Sequence, residues 1–318
     1  LLPLALLFRL FTALRRLLYR LGALRSVRLP LPVIVAGNIT VGGSGKTPLV
    51  LWLAQQLRDR GYQPGIISRG YGGTETGVCE VGVDADALQV GDEPLLLARR
   101  AICPVWIGRD RVVCAEALLA AHPGCNVLIS DDGLQHYRLA RDVEIVVTDE
   151  RGGGNGWPLP AGPLREPLSR IRQADALVIN GGVIPSRFAA LNFAPVFEMQ
   201  LRGETFYRLD NPALTCNAAS FSGKRVHAIA GIGNPGRFFN HLAMLGMRYT
   251  AHAFPDHHRY VVADLAFEEC DVLLMTEKDA VKCASFASGI HCEAWALRVD
   301  PELSSGLVDV ILEKIGNL

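Results

Sequence analysis

Several groups of residues in this chain have types and spacings that could do chemistry. The first is TVGGSGKTP, Thr40 to Pro48. Gly42, Gly43 and Gly45 let backbone N–H groups turn toward phosphate oxygens with no Cβ in the way. Lys46 would reach the β- and γ-phosphates of a nucleotide, and the Thr47 hydroxyl would ligate magnesium. Thr40, Val41, Gly42, Gly43, Ser44, Gly45, Lys46 and Thr47 therefore read together as a phosphate-binding loop. One position departs from the usual G-x-x-x-x-G-K-[ST] pattern: it asks for glycine where this chain has Thr40. Pro48 is no obstacle, because the first helical turn has no internal acceptor for that N–H.

A magnesium site also needs carboxylates near the end of a neighbouring strand. NVLISDDGLQH offers Asp131 and Asp132 there; a helix cap or turn would use the same residue type. Transfer to an alcohol needs a carboxylate that can take the hydroxyl proton. Asp92 and Glu93 in VGDEPLLL stand at a loop-to-helix junction, where capping alone would equally explain them. Asp256 and His257 in FPDHHRY form a candidate acid/base unit, or a turn with solvated histidines. Arg111 in RDRV and Arg165 in GPLREP, with Gln135 beside the paired acids, are candidate phosphate clamps. Each taken singly is also an ordinary surface residue. TEKD, Thr276 to Asp279, follows an apolar strand, but its spacing is wrong for a guanine-reading motif.

These groups need elements to hold them. VIVAG reads as a buried strand and PLVLWLAQQL as the helix after it, which is the context a phosphate-binding loop requires. GIIS, PVWIG, NVLIS, VEIVVTD and DALVIN read as further strands, alternating with helices such as GDEPLLLARRA and RDRVVCAEALLAA. That alternation predicts a doubly wound, mostly parallel sheet in an α/β fold. RGGGNGWPLPAGPLREP is too rich in Gly and Pro for a regular element, and such a loop is often functional. VFEMQLRGETFYRL reads as two extended segments broken at Gly203, forming a hinge hairpin. A second α/β pattern begins at Val226. The expected organisation is 1–195 for the first domain, 196–210 for a two-stranded hinge and 211–318 for a smaller α/β domain.

Residues 1–28 form a separate problem. LLPLALLFRLFTALRRLLYRLGALR carries Leu and Arg and no acid, the first acidic residue being Asp59. Arg9 interrupts the run of roughly 20 apolar residues that a spanning helix needs. On a helical wheel Arg9, Arg16 and Arg20 share a narrow stripe with Ala13, and Leu and Phe fill most of the rest. This predicts an amphipathic helix lying in an anionic membrane surface, against an ordinary core-packed helix as the alternative. The chain opens on Leu1 rather than Met, so further residues are expected before it.

Bulk composition adds limits. The 318 residues are 49% hydrophobic and 20% charged, which excludes a disordered chain. The formal net charge of +0 gives no support to nucleic-acid binding. Eight cysteines contain no C-x-x-C pair, which fits a reducing compartment and small buried hydrophobes.

Eight segments together resemble one family, tetraacyldisaccharide 4′-kinase of Gram-negative bacteria. They are GNITVGGSGKTP, SRGYGG, VGDEP, DDGLQH, GNGWPLPAGPLREP, AGIGNPGRFF, FPDHH and TEKDAVK, in that order between residues 37 and 282. Thr40 looks like the family's own form of the loop. The resemblance implies a P-loop NTPase-like first domain and transfer of the ATP γ-phosphate, with Mg²⁺, to the 4′-hydroxyl of a tetraacylated disaccharide 1-phosphate. It implies a peripheral place on the cytoplasmic face of the inner membrane, with no protein partner required. It gives Lys46 and Thr47 to ATP and magnesium, Asp132 and Glu93 to the neighbourhood of the metal, Asp92 to the catalytic base and His257 to its partner. Arg111 and Arg165 are similar to basic residues of the family's active site. Rival readings are a P-loop ATPase or GTPase that drives metal or protein targeting, and a membrane-attached nucleotide sensor.

Overall fold

The computed structural model describes residues 1–182, 184, 188 and 195–316. Among these residues, nine strands form one sheet in the order β15-β8-β7-β6-β1-β5-β2-β4-β3. Its centre is parallel: β1 (Val33–Gly37) lies between β5 (Val127–Asp131) and β6 (Val143–Asp149). β2 (Pro64–Ser68) and β4 (Val105–Ile107) extend one side, and β7 (Ala176–Asn180) and β8 (Val196–Arg202) the other. The edge strands β3 (Cys79–Glu80) and β15 (Asp300–Leu303) run antiparallel. β1, β2, β5 and β7 are buried along their whole length, which is why they read as continuous apolar runs rather than alternating ones. Helices α1 (Leu2–Arg20), α2 (Lys46–Asp59), α3 (Ala87–Val90), α4 (Asp92–Arg100) and α5 (Arg111–Ala121) belong to this half.

The second sheet has six strands in the order β10-β9-β14-β13-β11-β12. β11 (Val226–Ala230), β12 (Thr250–Ala253), β13 (Val272–Thr276) and β14 (Glu293–Leu297) are parallel. β9 (Phe206–Arg208) and β10 (Thr215–Cys216) are antiparallel additions.

Two expectations are corrected here. The segments within 196–210 do not pair with each other as a hairpin. β8 joins the first sheet and pairs with β15, while β9 joins the second and pairs with β14. The chain passes straight from sheet to sheet at Gly203, and a second crossing at Arg298 and Val299 runs beside it, with the Arg298 N–H donating to the Thr205 carbonyl at 2.9 Å. The two-stranded connection thus has one strand from each end of the second half. Residues 211–318 are also not one unit. After β14 the chain returns through β15 to the first sheet, and the final helix, Gly306–Ile315, packs there. Its Leu307, Ile311 and Ile315 enter the same apolar core as Ile34, Leu49 and Leu53.

The first helix also differs in part from its wheel. Its apolar side is outward, with Leu10 66% and Phe11 65% exposed. Ala5 is its buried contact, and Tyr19 packs on Tyr137. Arg16 is turned inward, 3.6 Å from the buried carboxylate of Glu166, and Arg15 lies over the Tyr137 ring. The basic stripe is therefore shared between docking the helix and facing solvent.

The C-terminal return makes a specific prediction. Ile311→Ala should destabilise the P-loop half, although it lies at the far end of the chain. A fully buried Ile cut to Ala costs about 2–5 kcal/mol, and urea unfolding of the purified protein measures it.

Candidate active site

The site assembles where the carboxyl ends of the parallel strands meet the second half. An open parallel sheet binds ligands at this edge, where neighbouring connections diverge. Asn38 follows β1, and its side-chain oxygen accepts from the Thr40 N–H at 3.0 Å. Thr40 then forms an antiparallel bridge with Leu164, and the Val41 N–H donates to the Pro163 carbonyl. Position 40 is thus paired to the Gly/Pro-rich loop, and among the non-glycine residues with positive φ it does not figure. No glycine is needed there. Gly45 is different: its φ is 92°, and an added Cβ would lie 2.4 Å from the Asn180 Nδ2. Asn180, at the end of β7, donates to the Ser44 carbonyl at 3.0 Å, and Arg151 donates to the Gly43 carbonyl at 2.7 Å while gripping Asp149.

Two acids stand at the end of β5, Asp131 as its last residue and Asp132 just after it. Asp131 is buried; Ser68 donates to its Oδ2, and its Oδ1 has no donor. Burial, with the nearby Glu93 charge, pushes its pKa up to about 7 against the pull of Lys46. Asp132 has the opposite fate. Burial opposes its charge too, but Lys46 at 3.5 Å and Arg165 at 2.9 Å outweigh it and hold the carboxyl at about 2. Its φ of 47° lets the chain turn sharply out of the strand.

The third element is α4, whose first residue is Asp92. One Asp92 oxygen accepts from the Glu93 N–H at 2.9 Å, and the other from His257 Nδ1 at 3.0 Å. Burial works against the Asp92 charge, but the His257 hydrogen bond and the Lys278 charge prevail and keep its pKa below the ordinary value. His257, with φ 58°, sits in the loop after β12, and Tyr71 of the glycine-rich loop after β2 meets its ring edge-on at 5.3 Å. The Asp92 hydrogen bond raises the His257 pKa, with burial and Lys278 opposing. A cavity of about 210 Å³ runs between the halves, lined by Gly43–Pro48, Glu93 and Lys278, with Leu96, Leu201, Phe238 and Leu297 at apolar positions. Gly233 closes on the phosphate-binding loop from the second half; a Cβ there would be 3.2 Å from the Gly43 nitrogen.

A family model described as tetraacyldisaccharide-1-P 4′-kinase matches residues 1–316. The chain belongs to the tetraacyldisaccharide 4′-kinase family. The tetraacyldisaccharide 4′-kinase of Dechloromonas aromatica is 56% identical over 319 residues, covering 99% of this chain and 92% of that one. Its counterpart from an Azoarcus species is 54% identical over 315 residues, covering 98% and 90%. A crystal structure from Aquifex aeolicus, described as the "apo" form in complex with ATP, matches with a TM-score of 0.81 and 32% identity over 99% of this chain and 98% of that one.

Within this member of the kinase family, the candidate residues fall into two sets. Lys46, Asp132 and Arg165 form one ion-paired group, and Asp92 and His257 another. Glu93 joins the second through Lys278, 3.1 Å away. Two clamp candidates are occupied within the protein. Gln135 donates to the Asn38 carbonyl and to Glu166, so it braces the loop from below. Arg111 is buried, with Nη1 donating to the Gly108 and Arg109 carbonyls and Nε without an acceptor; burial lowers its pKa, partly offset by the charges of Asp131 and Asp132. Sequence reasoning missed Lys278, Arg151, Asn180 and Glu166. Lys278 stood in TEKD, which the guanine-motif comparison set aside.

Thr40→Gly should leave nucleotide triphosphate affinity within about twofold, since Thr40 needs no left-handed backbone. Gly45→Ala should weaken it by about tenfold or more, because it adds strain at positive φ and a clash. Titration calorimetry of both variants separates the two positions.

Proposed function

We propose that this chain is an ATP-dependent lipid kinase, moving the γ-phosphate of ATP to the 4′-hydroxyl of a tetraacylated disaccharide 1-phosphate at a membrane surface. The observation that carries the chemistry is the Asp92–His257 hydrogen bond beside the P-loop cavity, with one partner from each half. An alcohol acceptor calls for a carboxylate held ionised to take its proton, and Asp92 is held so by His257 and Lys278. Family membership, at more than half the residues identical to named kinases, supports the same reaction.

The loop's N–H groups and Lys46 hold the triphosphate, and the apolar cavity wall takes the base. Asp92 accepts the hydroxyl proton, and His257 keeps the carboxylate aimed. Magnesium fits the oxygen donors present. Asp131 offers a buried Oδ1 with no donor, and the Thr47 hydroxyl, Asp132 and Glu93 belong to the same site. Thr47 and the paired acids would hold the ion, with phosphate oxygens and water completing its shell. When bound, it supplies charge neutralisation at the transferring phosphate.

Membrane attachment is the reading that α1 supports. Leu2, Leu6, Leu10, Phe11, Leu14 and Leu17 are exposed on the helix, while the opposite side docks through Ala5 and Arg16. No helix among the described residues is long and apolar enough to cross a membrane, so the helix would lie in the surface, with Arg9 and Arg20 toward anionic headgroups. We place it on the cytoplasmic face of the inner membrane, where ATP and the lipid acceptor meet.

Two experiments test this reading. Labelled ATP, magnesium and detergent-dispersed tetraacyldisaccharide 1-phosphate should give labelled lipid. Lys46→Ala should abolish the label, and Asp92→Asn should lower kcat by about 10²–10⁴-fold. Label released only as inorganic phosphate would favour a hydrolase. Flotation with anionic vesicles tests the helix: Leu10→Asp with Phe11→Asp should move the protein to the soluble fraction and leave its fold intact.

A further inference from the structure

Lys278 does more than help keep Asp92 charged: its ammonium meets groups from both halves at the seam. It belongs to the helix Glu277–Cys283, which follows β13 in the second half. Its ammonium reaches Glu93 Oε1 at 3.1 Å, His257 Nε2 at 3.4 Å, Asp256 Oδ1 at 3.5 Å and Asp92 Oδ2 at 3.8 Å. Asp92 and Glu93 come from the first half; Asp256 and His257 come from the second. The side chain is only 16% exposed, so the carboxylates it faces are poorly screened and would repel one another strongly without it.

The contact with His257 carries chemical information. A lysine ammonium has three donors and no acceptor. At Nε2 the imidazole therefore presents its lone pair, and its single N–H lies on Nδ1. The other side of the ring gives the same answer independently: Nδ1 faces a carboxylate oxygen of Asp92, which only accepts. Lys278 and Asp92 thus read the ring from opposite edges and select one tautomer. Other groups near the ring agree. Asp256 lies 3.9 Å from Nε2, but its carboxylate is shared with Lys278, and Tyr71 packs edge-on without a polar contact to the ring. On the same helix, Lys282 is committed to Asp279 at 2.8 Å.

We propose that Lys278 is a positioning residue for the phosphoryl transfer: it locks His257 in the Nδ1–H tautomer, and so keeps the Asp92 carboxylate aimed, while it ties α4 of the first half to the His257 loop of the second. This rests on the kinase reading above. Without the ammonium, the ring is free to place its proton on Nε2 toward Asp256, and Asp92 loses the hydrogen bond that orients it. Lys278 also lines the nucleotide cavity, so the competing role is a direct contact with the triphosphate. The two roles differ in which kinetic constant they move.

The test uses the full chain labelled with ¹⁵N at histidine, with His257 assigned through His257→Gln. At mildly alkaline pH the wild-type ring should give the Nδ1–H pattern, and Lys278→Met should lose it. In steady-state assays Lys278→Met should lower kcat by about 10–100-fold with the KM for ATP within about twofold, and Lys278→Arg should restore most of kcat. Three results would overturn the proposal: a wild-type ring protonated on Nε2, which needs no variant; a tautomer unchanged in folded Lys278→Met; or a raised KM for ATP with kcat intact, which marks a nucleotide contact. Absence of lipid phosphorylation by the wild type would sink the kinase reading instead, while the ring spectrum still decides whether Lys278 sets the tautomer.

Discussion

The structure depends on keeping several carboxylates charged in one poorly solvated place. Asp92, Glu93, Asp131, Asp132 and Asp256 converge around the end of the central strands, and Asp92 and Asp131 are almost fully buried. A carboxylate removed from water stays ionised only beside opposite charge or strong donors. Each acid here has a different solution. Asp132 has Lys46 and Arg165, Asp92 has His257 and Lys278, and Glu93 shares Lys278. Asp131 has a serine hydroxyl and only weaker shares of the Lys46 and Arg111 charges, and burial pushes its pKa up toward neutrality. The environment thus sorts chemically identical groups into a salt-bridged acid, a histidine-supported base and an under-neutralised acceptor suited to a cation.

That sorting explains why two sheets are needed. The first sheet supplies the phosphate loop, the paired acids and Asp92, all at the carboxyl ends of its strands or the helices that follow. Among the described residues, the cations beside Asp92 come from the second half. His257 and Lys278 come from corresponding places on the second sheet, after β12 and β13. Arg100 adds a further tie, reaching Glu277 at 2.9 Å and the Val299 carbonyl at 2.8 Å. The charge balance of the site is therefore distributed across the seam. Separation of the halves would leave buried acids unpaired, and the twin crossings at 203–205 and 298–299 keep the halves in register.

How much of this was legible in the sequence follows from how local each signal is. The phosphate loop, the acids at the end of β5 and the alternation of strands and helices were readable, because each is set by a few adjacent residues. Glu93's neighbour Asp92 was readable only as a choice between cap and base, since the deciding partner is 165 residues away. The return of β15 and the last helix to the first core was not readable. An amphipathic helix such as Gly306–Ile315 announces that it has an apolar side, not which core receives it. Nor was the pairing of β8 with β15: two extended segments flanking a glycine look like a hairpin unless the alternative partner, a hundred residues on, is known. Lys278 escaped because a lysine at a helix start is usually solvated, and only the tertiary fold turns it toward three acids.

Thr40 shows the same principle at one residue. A phosphate loop wants glycine where its backbone turns left-handed or approaches another chain closely. Here the first position does neither. It is held extended by Asn38 and by the bridge to Leu164, so a β-branched residue suits it. The same bridge fastens the loop to the segment carrying Arg165 and Glu166. Arg165 pairs with Asp132, and Glu166 receives Gln135, Tyr137 and Arg16 of α1. A continuous set of contacts therefore runs from the exposed apolar helix, through Arg16 and Glu166, to the phosphate loop and its acids. The helix is not a detached anchor. Its inward arginine shares a buried carboxylate with the residues that brace the loop, so the position of α1 and the geometry of the loop are fixed by the same few interactions.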